Sequence, residues 1–450
     1  MSQPVFTHTQ DQLQQIAQDV LRFAREKGAS DAAVEISEGG GLSVSVRKGK
    51  VETIEQNKDK GIGVTVYIGQ KRGNASTSDF SQTALQATVD AAYNIARFTA
   101  EDDCAGLPEA ELLEIHPRDL KLCYPWLISA EEAIQIATRT EAAAFSVDKR
   151  ITNSEGAGVH VQQSHFVSAN SRGFMGGYPF SRHTVSVAPI AGKGSRMQRD
   201  DWYSSVRNAK NLAKPEAIGM YAAQRALARL NARKLDTRKC PVLFEAPLAA
   251  GLLGAFVQAV SGGALYRKST FLLDTLGSQI FPAHLQVLED PHVIGAVGSS
   301  PFDDEGVKTQ RREVVANGVL QGYFLSCYSA RKLGMQTTGN AGGSHNLSMI
   351  SSLTKPGDNF KAMLKKLDTG LLVTELMGQG VNYVTGDYSR GASGFWVEKG
   401  EIQYPVEEIT IAGNMKDMFQ QIAAIGADTL IRGTKQTGSI LIENMTVAGS

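Results

Sequence analysis

Apolar residues at Leu13, Ile16, Ala17, Val20, Leu21 and Ala24 recur at the period of an α-helix and predict an amphipathic helix near the start of the chain. Thr9 and Gln12 form a capping box before it, and Gly28 closes it. Alternating apolar and polar positions then predict strands at 32–37, 42–47, 51–56, 63–68 and 73–78, with Lys48-Gly49 as a tight turn between the second and third. A second helix, 81–100, carries Leu85, Val89, Ala92 and Ala96 on one face. After an aperiodic crossing over 101–128, Ser129 and Glu132 cap a helix that runs to 146. Strands follow at 151–154, 158–169 and 184–191, and Pro215 opens a helix reaching 230.

The short basic stretch 231–239 marks a change of pattern and divides the chain into 1–231 and 232–450. The first part reads as a helix-and-antiparallel-sheet domain. In the second, 246–260 is apolar nearly all round, as a buried helix is, and ends in Ser261-Gly262-Gly263. Turn-rich β structure follows. Asn317-Gly318 predicts a hairpin between 313–316 and 319–325, and Lys399-Gly400 predicts another. Asp358 is placed to cap a helix over 360–367. The expected fold class is α+β in two domains, the second β-rich and built around its central helix.

A hydrophobic content of 42% in 450 residues can fill the cores of such domains. Lys+Arg and Asp+Glu both number 46, so no charge surplus draws the chain to nucleic acid or anionic lipid. The opening MSQPVFTHTQDQ has no basic region followed by an apolar run, so no signal peptide is expected. No apolar run nears the ~18 residues of a membrane span. Cys104, Cys123, Cys240 and Cys327 are scattered, the usage of reduced thiols in a cytoplasmic protein.

Several polar groups invite chemistry. His160 and His165 fall on a predicted strand, where an odd spacing sends them to opposite faces. His284 and His292 flank Glu289-Asp290, either a loop metal site or, by residue base rates, a solvated loop. His345 lies in a Gly-rich loop, 339–346, whose Gly342-Gly343 would let backbone approach a ligand. The run GDYSRG at 386–391 misses the serine-hydrolase elbow by one position, and 262–269 lacks the glycine a P-loop needs before its lysine. Asp387, Tyr388 and Arg390 form either a surface turn with Asp387 paired to Arg390, or the lining of a cleft for extended polypeptide. Tyr266, Arg267 and Lys268, just beyond the central helix, carry the same two readings.

The central segment EAPLAAGLLGAFVQAVSGGALYRKSTF at 245–271 resembles the central helix of the TldD/PmbA metallopeptidase family. So do LMGQG at 376–380, TGDYSRG at 385–391, GFWVE at 394–398, ITIAGN at 409–414 and GNAGGSH at 339–345. The likeness covers nearly the whole chain. In the catalytic branch the helix carries His-Glu-x-x-x-His, and a Cys-Gly pair near the C-terminus adds a ligand. The matching positions here hold Gly254, Ala255 and Ala259, with Thr437-Gly438 in place of Cys-Gly. None offers the imidazole, thiolate or carboxylate that zinc requires. Two helical ligands five apart also need a local widening such as a π-bulge.

The resemblance therefore implies the PmbA/TldE branch: a chain with no catalytic residue and no metal of its own, joined to a TldD-like catalytic subunit that holds zinc. Implied substrates are unfolded polypeptides and peptide precursors, in the cytoplasm, and a homodimer is left open for the chain alone. The family's association with DNA gyrase gains no support here as direct nucleic-acid binding. Two alternatives stand beside this reading: a peptide-binding or modulator protein without a catalytic role, and a self-sufficient metallopeptidase using ligands such as His284, Glu289 and His292.

Overall fold

The computed structural model describes residues 6–449; the first five residues, part of the stretch expected to carry no signal peptide, lie outside them. The chain opens with α1 (Gln10–Lys27), whose Thr9–Gln12 capping box and left-handed Gly28 end it as predicted. Then come β1 (Asp31–Arg47), β2 (Lys50–Ile68), β3 (Lys71–Thr77), α2 (Gln82–Phe98), α3 (Ala130–Val147), β4 (Ile151–Asn170), β5 (Met175–Gly176), β6 (Pro179–Ala191), β7 (Gln198–Arg199), β8 (Trp202–Val206) and α4 (Pro215–Ala228). These strands make one eight-stranded antiparallel sheet with β1 and β4 at its centre.

The strands predicted as 32–37 and 42–47 are one strand, as are 51–56 with 63–68 and 151–154 with 158–169. Gly39 and Gly41 do not break β1, because β4 runs too close for side chains there. A β-carbon on Gly39 would come 2.7 Å from Ser164 Oγ, and one on Gly41 2.6 Å from the Val161 carbonyl. On either side of this glycine waist the sheet carries a separate helix pair. Val34, Ile36, Val64 and Val167 pack beneath α1 and α2. Val44, Val159, Val185 and Val187 pack beneath α3 and α4. The two histidines point to opposite faces, as predicted: His160 is exposed and His165 buried, with Nε2 3.2 Å from Glu38 Oε2.

Beyond residue 237 the architecture changes. β9 (Arg238–Phe244) leads into the central helix α5 (Ala246–Ala259). β9 lies in a six-stranded mixed sheet with Gly370–Met377, Asp387–Glu398, Glu401–Asn414, Ile422–Ile425 and Ile440–Ala448. A five-stranded sheet is built from Leu285–Asp290, Arg312–Ala316, Val319–Leu320, Asn346–Ser351 and Lys435–Gln436. Leu253 and Phe256 of α5 join Val242, Val373, Leu285 and Leu347 in one core drawn from both sheets. The α+β class is as expected.

Three local expectations are corrected. Ser261-Gly262-Gly263 ends α5 but also starts a short helix, α6 (Gly262–Tyr266), because the Ser261 hydroxyl accepts the Ala264 N–H as its N-cap. The helix Phe360–Leu367 is capped by Asn359, while Asp358 accepts the Lys355 N–H and pairs with Lys366 at 2.7 Å. Glu289 is no solvated loop residue. It lies on the strand Leu285–Asp290 and is 1% exposed.

Candidate functional site

Glu245 begins the central helix, held by Arg225 of α4 through a 2.7 Å ion pair. Pro247 in the first turn suits that end, since its missing N–H has no intrahelical partner there. The helix stays a regular α-helix from Ala246 to Ala259. Residues 254 and 259 therefore point roughly 140° apart around its axis. Ala255 is almost buried and Ala259 wholly so, with the Ala259 carbonyl accepting the Thr270 hydroxyl at 2.6 Å. Gly254 is partly open: a β-carbon there would meet only Cδ and Cε of Lys435, each at 3.8 Å. Lys435 belongs to the short strand that packs on the helix, and burial lowers its pKa. Thr437 follows it, 2% exposed, with an Oγ1 that makes no hydrogen bond among the described residues.

Gly254 and Ala255 also form the floor of a cavity of about 170 Å³. Segment 376–383 passes over it, and Tyr388 and Arg390 close one end. This segment folds back on the strand that follows it: Val381 bridges Tyr388, and the Asn382 N–H donates to the Asp387 carbonyl. Strand alternation then separates the predicted trio. Tyr388 and Arg390 face the cavity, whereas Asp387 is exposed and accepts the Thr385 hydroxyl at 2.7 Å and the Asn414 amide at 3.2 Å. No Asp387–Arg390 pair forms. The Tyr388 hydroxyl and Arg390 Nε are buried and lack hydrogen-bond partners among the described residues. Burial pushes the Tyr388 phenol up to about 12, although the Arg390 guanidinium opposes the shift.

The other candidates lie elsewhere. Nδ1 of His345 is 3.1 Å from Glu289 Oε1, and the His345 N–H donates to that same oxygen at 2.8 Å. Arg312 and Asn340 donate to Glu289 as well, at 2.7 and 2.8 Å. Burial disfavours the Glu289 carboxylate, but His345 and Arg312 outweigh it and lower the pKa. The group fastens the 339–346 loop to a strand. Tyr266 sets its ring edge against Tyr328, Arg267 lies over the Tyr266 ring at 5.1 Å, and Lys268 is exposed; none of the three lines the cavity. His284 bonds to Ser351 and the Ile422 carbonyl, and His292 to Thr309, so neither converges on Glu289. Among the described residues no group of three or more His, Cys, Asp or Glu is placed to hold a metal. Sequence reasoning missed Lys435, two residues before the recognised Thr437, whose stem lies against Gly254.

Family models for the PmbA/TldA metallopeptidase domain 1, central domain and C-terminal domain match residues 32–96, 123–230 and 237–449. The chain belongs to the PmbA/TldD metallopeptidase family. It is 49% identical to the metalloprotease PmbA of Escherichia coli O157:H7, over 94% of this chain and 93% of that one. It is 44% identical to the PmbA homologue of Haemophilus influenzae, over 98% and 97%. A Bacteroides thetaiotaomicron crystal structure, described as a candidate modulator of DNA gyrase, superposes with a TM-score of 0.91 at 26% identity, over 97% and 98%. TldE from Thermococcus kodakarensis shares the fold, with a TM-score of 0.84 at 21% identity, over 96% and 100%. The first two family regions share a single sheet in this fold.

Family membership raises the question of zinc. Around the helix face where the catalytic branch is expected to bind it, the side chains are hydrogen, methyl, two hydroxyls and the cations of Lys435 and Arg390. Zinc takes imidazole, thiolate or carboxylate. The residues present do not fit the ion.

Proposed function

We propose that this chain is the PmbA/TldE-like, non-catalytic subunit of a cytoplasmic zinc metallopeptidase that cleaves unfolded polypeptides and peptide precursors. The TldD-like partner holds the zinc, its ligands and the general base. This chain completes the cleft and helps select substrate. The observation that carries the reading is the Lys435 stem against Gly254, with Ala255 next along the helix and Thr437 buried two residues beyond the lysine. A cationic side chain and donor-free positions occupy the place of a metal site, while the framework around it remains. Likeness to PmbA and to TldE supports placing the chain in this branch.

The test measures zinc content and cleavage of an unfolded peptide for this chain, its TldD-like partner and their mixture. The expected result is neither zinc nor activity for the chain alone, and faster cleavage by the mixture than by the partner. Chelator-sensitive cleavage by the isolated chain overturns the proposal. Partner binding without any effect on cleavage indicates a peptide-binding or modulator protein instead.

A further inference from the structure

The cavity beside Gly254 has a polar composition that a solvated void does not require. Two buried polar atoms of its lining residues, Tyr388 Oη and Arg390 Nε, meet no acceptor among the described residues, although the Arg390 guanidinium lies close to the Tyr388 phenol. Tyr388 is 3% exposed, so water has little access to its hydroxyl. No Asp or Glu lines the cavity. A buried donor left unpaired costs about 1–3 kcal/mol, and more when charged. Each such group calls for an explanation, and an acceptor supplied from outside the chain is one.

The remaining wall is mixed, with Tyr383 and Gln379 beside apolar side chains. Leu248 and Leu252 rise from the helix, and Leu376 and Val381 from the covering segment. Gly251 and Gln379, both exposed, mark a mouth. A volume of about 170 Å³ suits one amino-acid residue better than a longer segment. The side-chain stem of Lys435, which forms no ion pair among the described residues, lies next to the floor glycine.

We infer that this cavity is a carboxylate pocket: it takes one residue of a peptide, with a carboxylate on Arg390 and Tyr388 and the apolar atoms against Leu248, Leu252 and Val381. The guanidinium is a planar fork of donors, a shape that matches the two oxygens of a carboxylate. Tyr388, protonated at neutral pH, donates a further bond. The carboxylate is either the free C-terminus of the peptide or an acidic side chain. In both cases the vestige of a metal site reads peptide charge rather than cutting peptide. The inference rests on the peptide-handling reading proposed above.

The experiment uses the full chain and short fluorescent alanine-rich peptides in three forms: free acid ending in leucine, the same peptide amidated, and an amidated peptide with one glutamate. Anisotropy titration is expected to show at least one carboxylate form binding about tenfold tighter than the neutral amide. The preferred form identifies the source of the carboxylate. Arg390→Gln should abolish the preference, and Tyr388→Phe, which keeps the ring, should reduce it several-fold. Equal binding of all three peptides, or a preference unchanged in both variants, overturns the inference. Stimulation of the TldD-like partner is scored separately. Lost preference with stimulation intact refutes the pocket and spares the subunit reading; preference without stimulation does the reverse.

Discussion

Lys435 and Gly254 are packed together, with Cδ and Cε of the lysine 3.8 Å from where a β-carbon on the glycine would stand. The contact leaves room for a methyl group, and a larger side chain turned toward Lys435 would displace the lysine stem. Rebuilding the metal motif as Gly254→His, Ala255→Glu, Ala259→His and Thr437→Cys should therefore leave zinc far below one per chain. Even with Lys435→Ala added, the regular helix keeps residues 254 and 259 roughly 140° apart. Ala259 is wholly buried, so Ala259→His alone should also cost about 1–3 kcal/mol by overpacking. Zinc analysis of the purified variants and thermal unfolding of the single substitution check the two parts. A stoichiometric, tightly held zinc would show that the helix can widen.

Asp387 and Arg390 should separate in function as they do in space. With the TldD-like partner present, Arg390→Ala should slow peptide cleavage without loosening subunit association. Asp387→Ala removes only exposed bonds to Thr385 and Asn414, so cleavage should stay within about twofold of the parent, as for most surface changes. Steady-state kinetics and sedimentation of the pair give both readouts. Equal effects of the two substitutions would return the motif to a structural turn.

Glu38 governs an acid-sensitive contact between the N-terminal segment and the first sheet. Burial opposes its ionisation, but the N–H groups of His8 and Thr7 and the His165 ring outweigh this and hold its carboxyl at about 2, against 4.5 when unperturbed. A carboxyl whose pKa is lowered by folding adds stability above its unfolded value and loses it as pH falls through the folded one. The contribution should be intact above pH 4.5 and decline toward pH 2. Thermal melts across this range should fall more steeply for the parent than for Glu38→Gln. Parallel curves would remove Glu38 as the cause.

Much of this fold was legible in the chain. Thr9 with Gln12 and Ser129 with Glu132 mark helix starts through local bonds and Pro215 through its fixed backbone angle, and those starts are where the structure has them. The turn pairs Lys48-Gly49, Asn317-Gly318 and Lys399-Gly400 all have positive φ at both residues, as the hairpin reading required. Features set by distant neighbours were not legible. β1 runs through Gly39 and Gly41 because β4 lies against them, and Glu289 is buried because Arg312, Asn340 and His345 surround it. At the cavity, alternation alone could have put Tyr388 and Arg390 on one face and Asp387 on the other. That Lys435 lies on Gly254 is a fact of tertiary packing, with no periodicity to announce it.

Arg225 fixes the start of the central helix to the first domain. Its Nε is 3.1 Å from Asp200 and a terminal nitrogen 2.7 Å from Glu245, and its side chain is only 13% exposed. Burial works against the charge, but Glu245 and Asp200 overcome it and raise the guanidinium pKa. Arg229 reaches the same Asp200 and also Glu375, so the carboxylates on both sides of the domain junction depend on one helix. Arg225→Met keeps most of the stem but leaves Glu245 with a charge and no cation partner. Breaking a buried pair from one side typically costs about 3–5 kcal/mol, which urea unfolding should show as a lowered midpoint. Adding Glu245→Gln should recover part of the loss, since the stranded charge is then gone and the helix N-terminus retains a neutral acceptor. A cost for Arg225→Met below about 1 kcal/mol would mean that the pair behaves as a solvated surface contact. In that case α5 would be anchored by its apolar face alone, and the junction network would have no part in positioning Gly254 and Ala255.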